Sequence, residues 1–213
     1  MSEKLNAEKA LIFRIVHRDN VPWILTNGMH CRSSTVQAPR YRTIGNPDLI
    51  DKRQRRTVPI PPGGTLSDYV PFYFTPFSPM MLNIKTGHGG VTRVPNEEIV
   101  IFVSSLPRVA ELGIPFVFSD RHAYLQTANF YSALAELSNI TWELLQRRDF
   151  KRDPDDPEKI ERYQAEALIH QQVPLEAFLG AVCYTKLVEH ELNQLVVSSS
   201  MSFKVARRPG WYF

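Results

Sequence analysis

Residues 49–81 read LIDKRQRRTVPIPPGGTLSDYVPFYFTPFSPMM, and the reading of this stretch decides the fold. Its first part sets four cations, Lys52, Arg53, Arg55 and Arg56, within five residues. A Pro61-Pro62-Gly63-Gly64 turn follows, then an aromatic strand over residues 69–74 (YVPFYF) that Pro76 and Pro79 bring to an end. Guanidinium groups offer fixed N–H donors to phosphate oxygens, and aromatic rings offer flat faces for bases or nicotinamide. A basic arm folded back on an aromatic strand is therefore a surface for a dinucleotide, a nucleic acid or both. The plainer reading of the same residues is a solvated loop before an ordinary buried strand.

Upstream, the apolar, β-branched run Leu11-Ile-Phe-Arg-Ile-Val-His17 reads as a buried strand, preceded by a short helix that Asn6 caps. His17-Arg18-Asp19-Asn20 ends the strand with polar groups, and Pro22 suits the first turn of a short helix closed by Asn27-Gly28. His17 and Asn20 thereby fall at one end of a sheet, where ligand clefts form; the bland alternative is a histidine that bonds a nearby carbonyl. Residues 29–48 are polar and irregular, a long loop laid over a site, and Arg40-Tyr41-Arg42 alternates cation and ring as single-stranded nucleic-acid surfaces do.

Downstream, Glu98-Ile-Val-Ile-Phe-Val103 is the clearest buried strand, and Ser104-Ser105 caps a helix that Gly113 ends. Pro115-Phe-Val-Phe118 is a further strand, closed by a second polar quartet, Ser119-Asp120-Arg121-His122. Helical spacing is read over residues 128–137, extended by Trp142-Glu-Leu-Leu, and a mixed-charge loop follows over residues 147–153. The acidic DPDDPE run then caps a helix through residues 161–169, with Tyr163, Ala167 and Ile169 facing inward. Glu166 stands out there, a carboxylate inside an Ala-Glu-Ala-Leu-Ile run; buried carboxylates are rare without a task or a partner, and a structural salt bridge to Arg53 is the alternative. Glu176 competes with it but reads as a first-turn residue favoured by the helix dipole. Residues 180–184 form a strand, 186–195 a helix and 201–205 a final strand. Thr86-Gly-His-Gly-Gly90 is a turn and no P-loop, since no Gly-Lys-Ser/Thr follows.

A chain of 213 residues holds one substantial core, and residues 1–213 are read as a single α+β domain of short strands with peripheral helices. No apolar run approaches the roughly 20 residues that span a bilayer. The N-terminus carries acidic residues and lacks a signal-peptide cleavage pattern. Two distant cysteines, Cys31 and Cys183, make neither a disulfide framework nor a zinc cluster, which fits a reducing cytoplasm and no metal. A net charge of +3 is mild, so clusters of arginine say more about partners than the total does.

These residues together resemble a known family. His17-x-x-Asn20, Arg53 upstream of Pro-Pro-Gly-Gly, Asp68-Tyr-Val-Pro-Phe-Tyr-Phe, Ser78-Pro79-Met80, Asp120-Arg-His122, Tyr163-Gln-Ala-Glu166-Ala-Leu and the closing Gly-Trp-Tyr-Phe are similar to DarT, bacterial toxins that ADP-ribosylate DNA. The resemblance runs over essentially the whole chain. It implies an ADP-ribosyltransferase-like fold with a split, twisted central β-structure holding NAD in a cleft. It also implies NAD as donor substrate, single-stranded DNA as acceptor and the macrodomain antitoxin DarG as partner; separately from the resemblance, a monomer is expected. A glutamate at the place of Glu166 is catalytic in the family and an arginine at the place of Arg53 supports it. By the same resemblance Arg14, His17, Asn20, Gly28, Tyr73 and Met80 are expected on NAD, and Arg40, Arg42, Arg55, Arg56 and His122 on DNA. Two positions depart from the family pattern: Arg14 replaces a second histidine, and Phe77 replaces the arginine before Ser-Pro-Met. The Arg-Ile-Val-His-Arg-Asp-Asn opening looks closer to members that modify guanine, with thymine the other target.

The chemistry agrees. Breaking the nicotinamide–ribose bond builds an oxocarbenium-like cation, which a carboxylate at Glu166 would stabilise, besides orienting ribose hydroxyls or taking the proton of an attacking base. Transfer to RNA or protein, NAD hydrolysis, or non-catalytic nucleic-acid binding are the competing readings.

Overall fold

The computed structural model describes residues 5–199 and 203–213. In chain order its elements are β1 (Leu11–His17), α1 (Val21–Asn27), β2 (Met29–His30), α2 (Pro47–Arg53), β3 (Tyr69–Tyr73), α3 (Pro79–Thr86), β4 (Ile99–Ser105), α4 (Leu106–Glu111) and β5 (Phe116–Ser119). Then come β6 (Phe130–Tyr131), α5 (Trp142–Arg147), α6 (Lys159–Arg162), β7 (Glu166–His170), β8 (Gln172–Val173), β9 (Gly180–Cys183), α7 (Lys186–Ser198) and β10 (Lys204–Arg207). Eight strands form one sheet in the order β10-β9-β4-β1-β3-β7-β5-β6, while β2 and β8 pair separately. Every pairing in the large sheet is antiparallel except β9 with β10.

The sheet is split at its middle. β1 pairs with β4 along its whole length, from Leu11↔Ser105 to His17↔Ile99, and β3 pairs with β7 from Tyr69↔His170 to Tyr73↔Glu166. Between β1 and β3 only Phe13↔Tyr73 is in register. Pro71 supplies a local reason: it has no N–H to give a ladder, and its carbonyl instead accepts from Arg14 Nη1 at 3.1 Å. The two strands therefore part on the far side of Tyr73, and the opening becomes a cleft. The expected split central β-structure is present.

The central strands are buried at most positions and run largely apolar. Ile12, Phe13, Phe72, Phe74, Ile101, Phe102 and Phe118 have no exposed surface, each side chain contributing about 1.5–3 kcal/mol by leaving water. This also explains the main misreading of the sequence. Residues 161–169 are not one helix: α6 stops at Arg162 and Glu166 opens β7. Glu166, Ala167, Leu168 and Ile169 are all buried because β7 lies between β3 and β5, so period-2 alternation is lost and the run mimics a buried helix.

Other differences have local causes. Residues 128–137 hold β6 and the start of a 3-10 turn, Leu134–Asn139, where the Glu136 carboxylate takes the Ser132 and Ala133 N–H groups. The basic arm is half helical: Asn46 caps α2 through the Leu49 N–H and Pro47 opens it, Lys52 and Arg53 end it, and Arg55 and Arg56 follow in a turn. Ser78 caps α3 in the same way, a helix the sequence reading missed. Asn6 does accept from the Lys9 N–H, but only a turn follows it. The last strand begins at Lys204; residues 201 and 202 of the expected strand lie outside the described residues. Ser105 caps α4 through the Arg108 N–H, as its sequence predicts.

Candidate active site

The apex of the split is built around one carboxylate. Glu166 is 2% exposed and stands in register with Tyr73 on β3 and Ser119 on β5. Arg53, the last residue of α2, donates through Nη1 to both Glu166 oxygens, at 2.9 and 3.2 Å. The Ala123 N–H donates to Oε1 at 3.1 Å, and His122 Nδ1 lies 3.0 Å from the same oxygen. The Tyr124 N–H also points to His122 Nδ1, at 3.3 Å; the shorter contact to a charged acceptor prevails when that nitrogen carries a proton. Burial by itself would push the Glu166 carboxyl up. The Arg53 charge, the His122 contact and the Ala123 N–H outweigh it and hold the group down at about 2.

Tyr73 adjoins this carboxylate. Burial, and then the Glu166 charge, push its phenol above the ordinary range, so it stays protonated; its hydroxyl points to Met80 Sδ at 3.7 Å. Ser78, by capping α3, sets where Met80 meets the cleft.

The cleft runs from this apex between β1 and β3. Arg14, Ile15, Val16, Val70, Pro71, Tyr73, Met80, Arg53, His122 and Glu166 line it, and residues from the loop after β2, including Cys31, Arg42 and Ile44, form its roof. The roof is fastened from beneath. The buried Asn20 side chain donates to the Arg42 carbonyl at 2.9 Å and accepts the Arg42 N–H at 2.8 Å, while Arg42 Nη1 pairs with Asp19 at 2.9 Å. Ser67, also in the lining, has a buried hydroxyl without a hydrogen-bond partner.

The expected site residues thus divide. Glu166, Arg53, Arg14, Tyr73, Met80, His122 and Arg42 meet at the cleft. His17 does not line it: its ring is 1% exposed, accepts the Asp19 N–H at Nδ1 and donates from Nε2 to Glu98 at 2.9 Å. Asn20 acts on the roof and not on the lining. Gly28 ends α1 at φ 77°, and a Cβ there would meet the Val173 carbonyl at 2.7 Å, so packing of β8 accounts for the glycine. Arg40 and Arg55 are exposed beyond the lining. Arg56 is half-buried, with its donors turned to residues 123–126. Sequence reasoning missed the Ala123 N–H and Ser67; a backbone donor in a loop leaves no side-chain signature. Among the described residues no group of three or more His, Cys, Asp or Glu is placed to hold a metal. No described helix is long and apolar enough to cross a membrane.

Comparison with known proteins accords with this geometry. The family model described as "DarT: ssDNA thymidine ADP-ribosyltransferase, DarT" matches residues 13–213. An Escherichia coli protein described as a DNA ADP-ribosyl transferase is 57% identical over 212 residues, covering 100% of this chain and 97% of that one. A relative of the same description from Thermus sp. is 37% identical over 216 residues, covering 97% of each. Among solved structures, Thermus sp. 2.9 DarT in complex with ADP-ribosylated ssDNA superposes with a TM-score of 0.89 at 33% identity, covering 97% of each chain. The same protein in complex with NAD+ gives 0.85 at 34% identity, covering 97% of this chain and 98% of that one. The chain belongs to the DarT family and is an NAD-dependent DNA ADP-ribosyltransferase.

Proposed function

We propose that this enzyme transfers ADP-ribose from NAD to thymine in single-stranded DNA and releases nicotinamide. The observation that carries the reading is the buried, ionised Glu166 at the apex of the split, held by Arg53, His122 and the Ala123 N–H. In the transfer the bond between ribose C1′ and the nicotinamide nitrogen breaks and nicotinamide leaves; a base nitrogen forms the new bond to C1′, and its proton, made acidic by that bond, passes to the Glu166 carboxylate and on to solvent. Arg53, His122 and the Ala123 N–H hold the carboxyl below its ordinary range despite burial, so Glu166 enters the reaction ionised. It faces the positive charge that grows on the ribose and aligns the ribose hydroxyls, in a site where little water screens the interaction. Tyr73 and Met80 supply the ring and thioether walls, and the roof over residues 31–46 closes the donor in.

Thymine is preferred to the guanine expected from the opening motif because the matched family description names thymidine. The donor and acceptor in the solved Thermus complexes support NAD and single-stranded DNA as this chain's substrates. Residues 1–213 work as one catalytic domain on this reading, and the family resemblance makes the macrodomain antitoxin DarG the partner that reverses the modification.

The test is mass spectrometry of short single-stranded oligonucleotides incubated with the protein and NAD, each base type replaced in turn, with RNA oligonucleotides alongside. One added ADP-ribose that disappears when thymine is replaced is the expected result. Loss of the adduct on replacing guanine would overturn the base assignment, and labelling of RNA alone would overturn the acceptor.

A further inference from the structure

Arg56 was expected to face DNA, yet its guanidinium is occupied inside the protein. Nη2 donates to the Leu125 carbonyl at 2.8 Å, Nη1 to Gln126 Oε1 at 2.8 Å, and Nε makes a longer contact with the Ala123 carbonyl at 3.5 Å. Its carbon lies 5.9 Å from the centre of the Phe130 ring. The backbone of Arg56 is held as firmly: its N–H reaches the Arg53 carbonyl at 3.3 Å, and its carbonyl accepts the Leu66 N–H at 2.9 Å. The segment it grips is the one that supplies His122 and the Ala123 N–H to Glu166.

We propose that Arg56 is a positioning residue for the transfer reaction, holding residues 122–126 so that the Ala123 N–H and His122 stay on the Glu166 carboxylate. The geometry is a closed ring. Arg53 binds Glu166, Glu166 binds Ala123, Arg56 binds the turn that follows Ala123, and a backbone bond from Arg56 returns to Arg53. The end of α2 and the turn that follows it thus fix the carboxylate twice, directly through Arg53 and indirectly through Arg56. A fork-shaped donor set is needed because the acceptors, the Leu125 carbonyl and the Gln126 side chain, lie on adjacent residues; a lysine offers one point charge and spans them poorly. The far side of the segment is tied independently, by Asp120 accepting the N–H and side-chain amide of Asn129 at 3.1 and 2.9 Å. Arg56 holds the near side.

This proposal rests on the transferase reading, so its test pairs a kinetic readout with one that needs no activity. Arg56→Lys and Arg56→Gln would be compared with wild type in ADP-ribose transfer to a thymine-containing oligonucleotide. DNA affinity would be measured without NAD across a salt series, and amide hydrogen exchange over peptides spanning residues 121–129. Gln126→Ala, which removes one acceptor and leaves the arginine, serves as the milder variant should either arginine variant fold poorly. Positioning predicts that kcat falls at least tenfold in both arginine variants, lysine included, while KM for NAD and the DNA dissociation constant stay within about twofold. It also predicts faster exchange over residues 121–129. Unchanged exchange in Arg56→Lys would overturn the proposal. So would unchanged kcat, or weaker DNA binding with a salt slope reduced by about 0.7, the signature of one lost phosphate contact. If the wild-type protein labels no DNA, the transferase reading fails while the exchange experiment still decides the role of Arg56.

Discussion

Arg53 and Glu166 lie 113 residues apart in the chain and meet through one guanidinium nitrogen, 2.9 and 3.2 Å from the two carboxylate oxygens. The salt bridge weighed from the sequence as one reading of Glu166 is present, and it is the contact on which the proposed catalytic role rests. Removing one partner of a buried pair leaves the other uncompensated, and such losses run to about 3–5 kcal/mol.

Glu166→Gln should abolish transfer, by a factor of roughly a thousand, since charge at the growing cation is lost with little change of shape. It should also alter stability with pH. The folded carboxyl is held at about 2, below its ordinary 4.5, so its stabilisation is complete above the ordinary value and disappears as pH falls toward 2. That contribution is on the order of 3 kcal/mol. Urea denaturation between pH 6 and 2 should show wild type losing more stability in this window than Glu166→Gln does.

Asn20→Ala removes both hydrogen bonds to the Arg42 backbone and frees the roof without touching the cleft lining. KM for NAD should rise about fivefold or more with kcat little changed, and trypsin should cut faster after Arg40 and Arg42. Unchanged proteolysis alongside an unchanged KM would show that the roof is held elsewhere.

His17→Gln tests whether this histidine touches NAD or only fastens the end of β1 to Glu98. The geometry favours fastening, so stability should fall by about 1–2 kcal/mol while NAD affinity holds within twofold. Calorimetric titration with NAD, beside thermal melting, separates the two; an affinity loss without a stability loss would place His17 on the ligand.

Arg14 lines the cleft with one hydrogen bond, to the Pro71 carbonyl, and no carboxylate partner among the described residues. A half-buried cation without a counter-ion suits the diphosphate of the donor. Arg14→Gln should weaken ADP-ribose binding about tenfold and adenosine binding little. Equal losses for both ligands would mean that the residue only ties β1 to β3.

Legibility from sequence followed the range of the interactions concerned. β1, β4 and β5 were readable because β-branched and aromatic runs bounded by turn residues specify buried strands locally. Ser105 was readable as a cap because a cap bonds three residues on, to Arg108. The singular carboxylate at Glu166 and the cation cluster at residues 52–56 were visible as residue types, and the order of motifs along the chain carried the family.

The chain alone therefore determined which residue types are on offer for the proposed chemistry, since carboxylate, guanidinium, ring and thioether are properties of side chains. Tertiary structure decided which of them act together. Glu166 became the first residue of a strand because β3 and β5 flank it on both sides, an outcome that no local period encodes. Arg53 and Arg56 look equivalent as cations three positions apart, yet one met a carboxylate and the other a pair of oxygen acceptors in a loop. The reason is physical: a buried charge takes whichever partner the closing chain brings within about 3 Å, and that distance is set by the packing of strands remote in sequence.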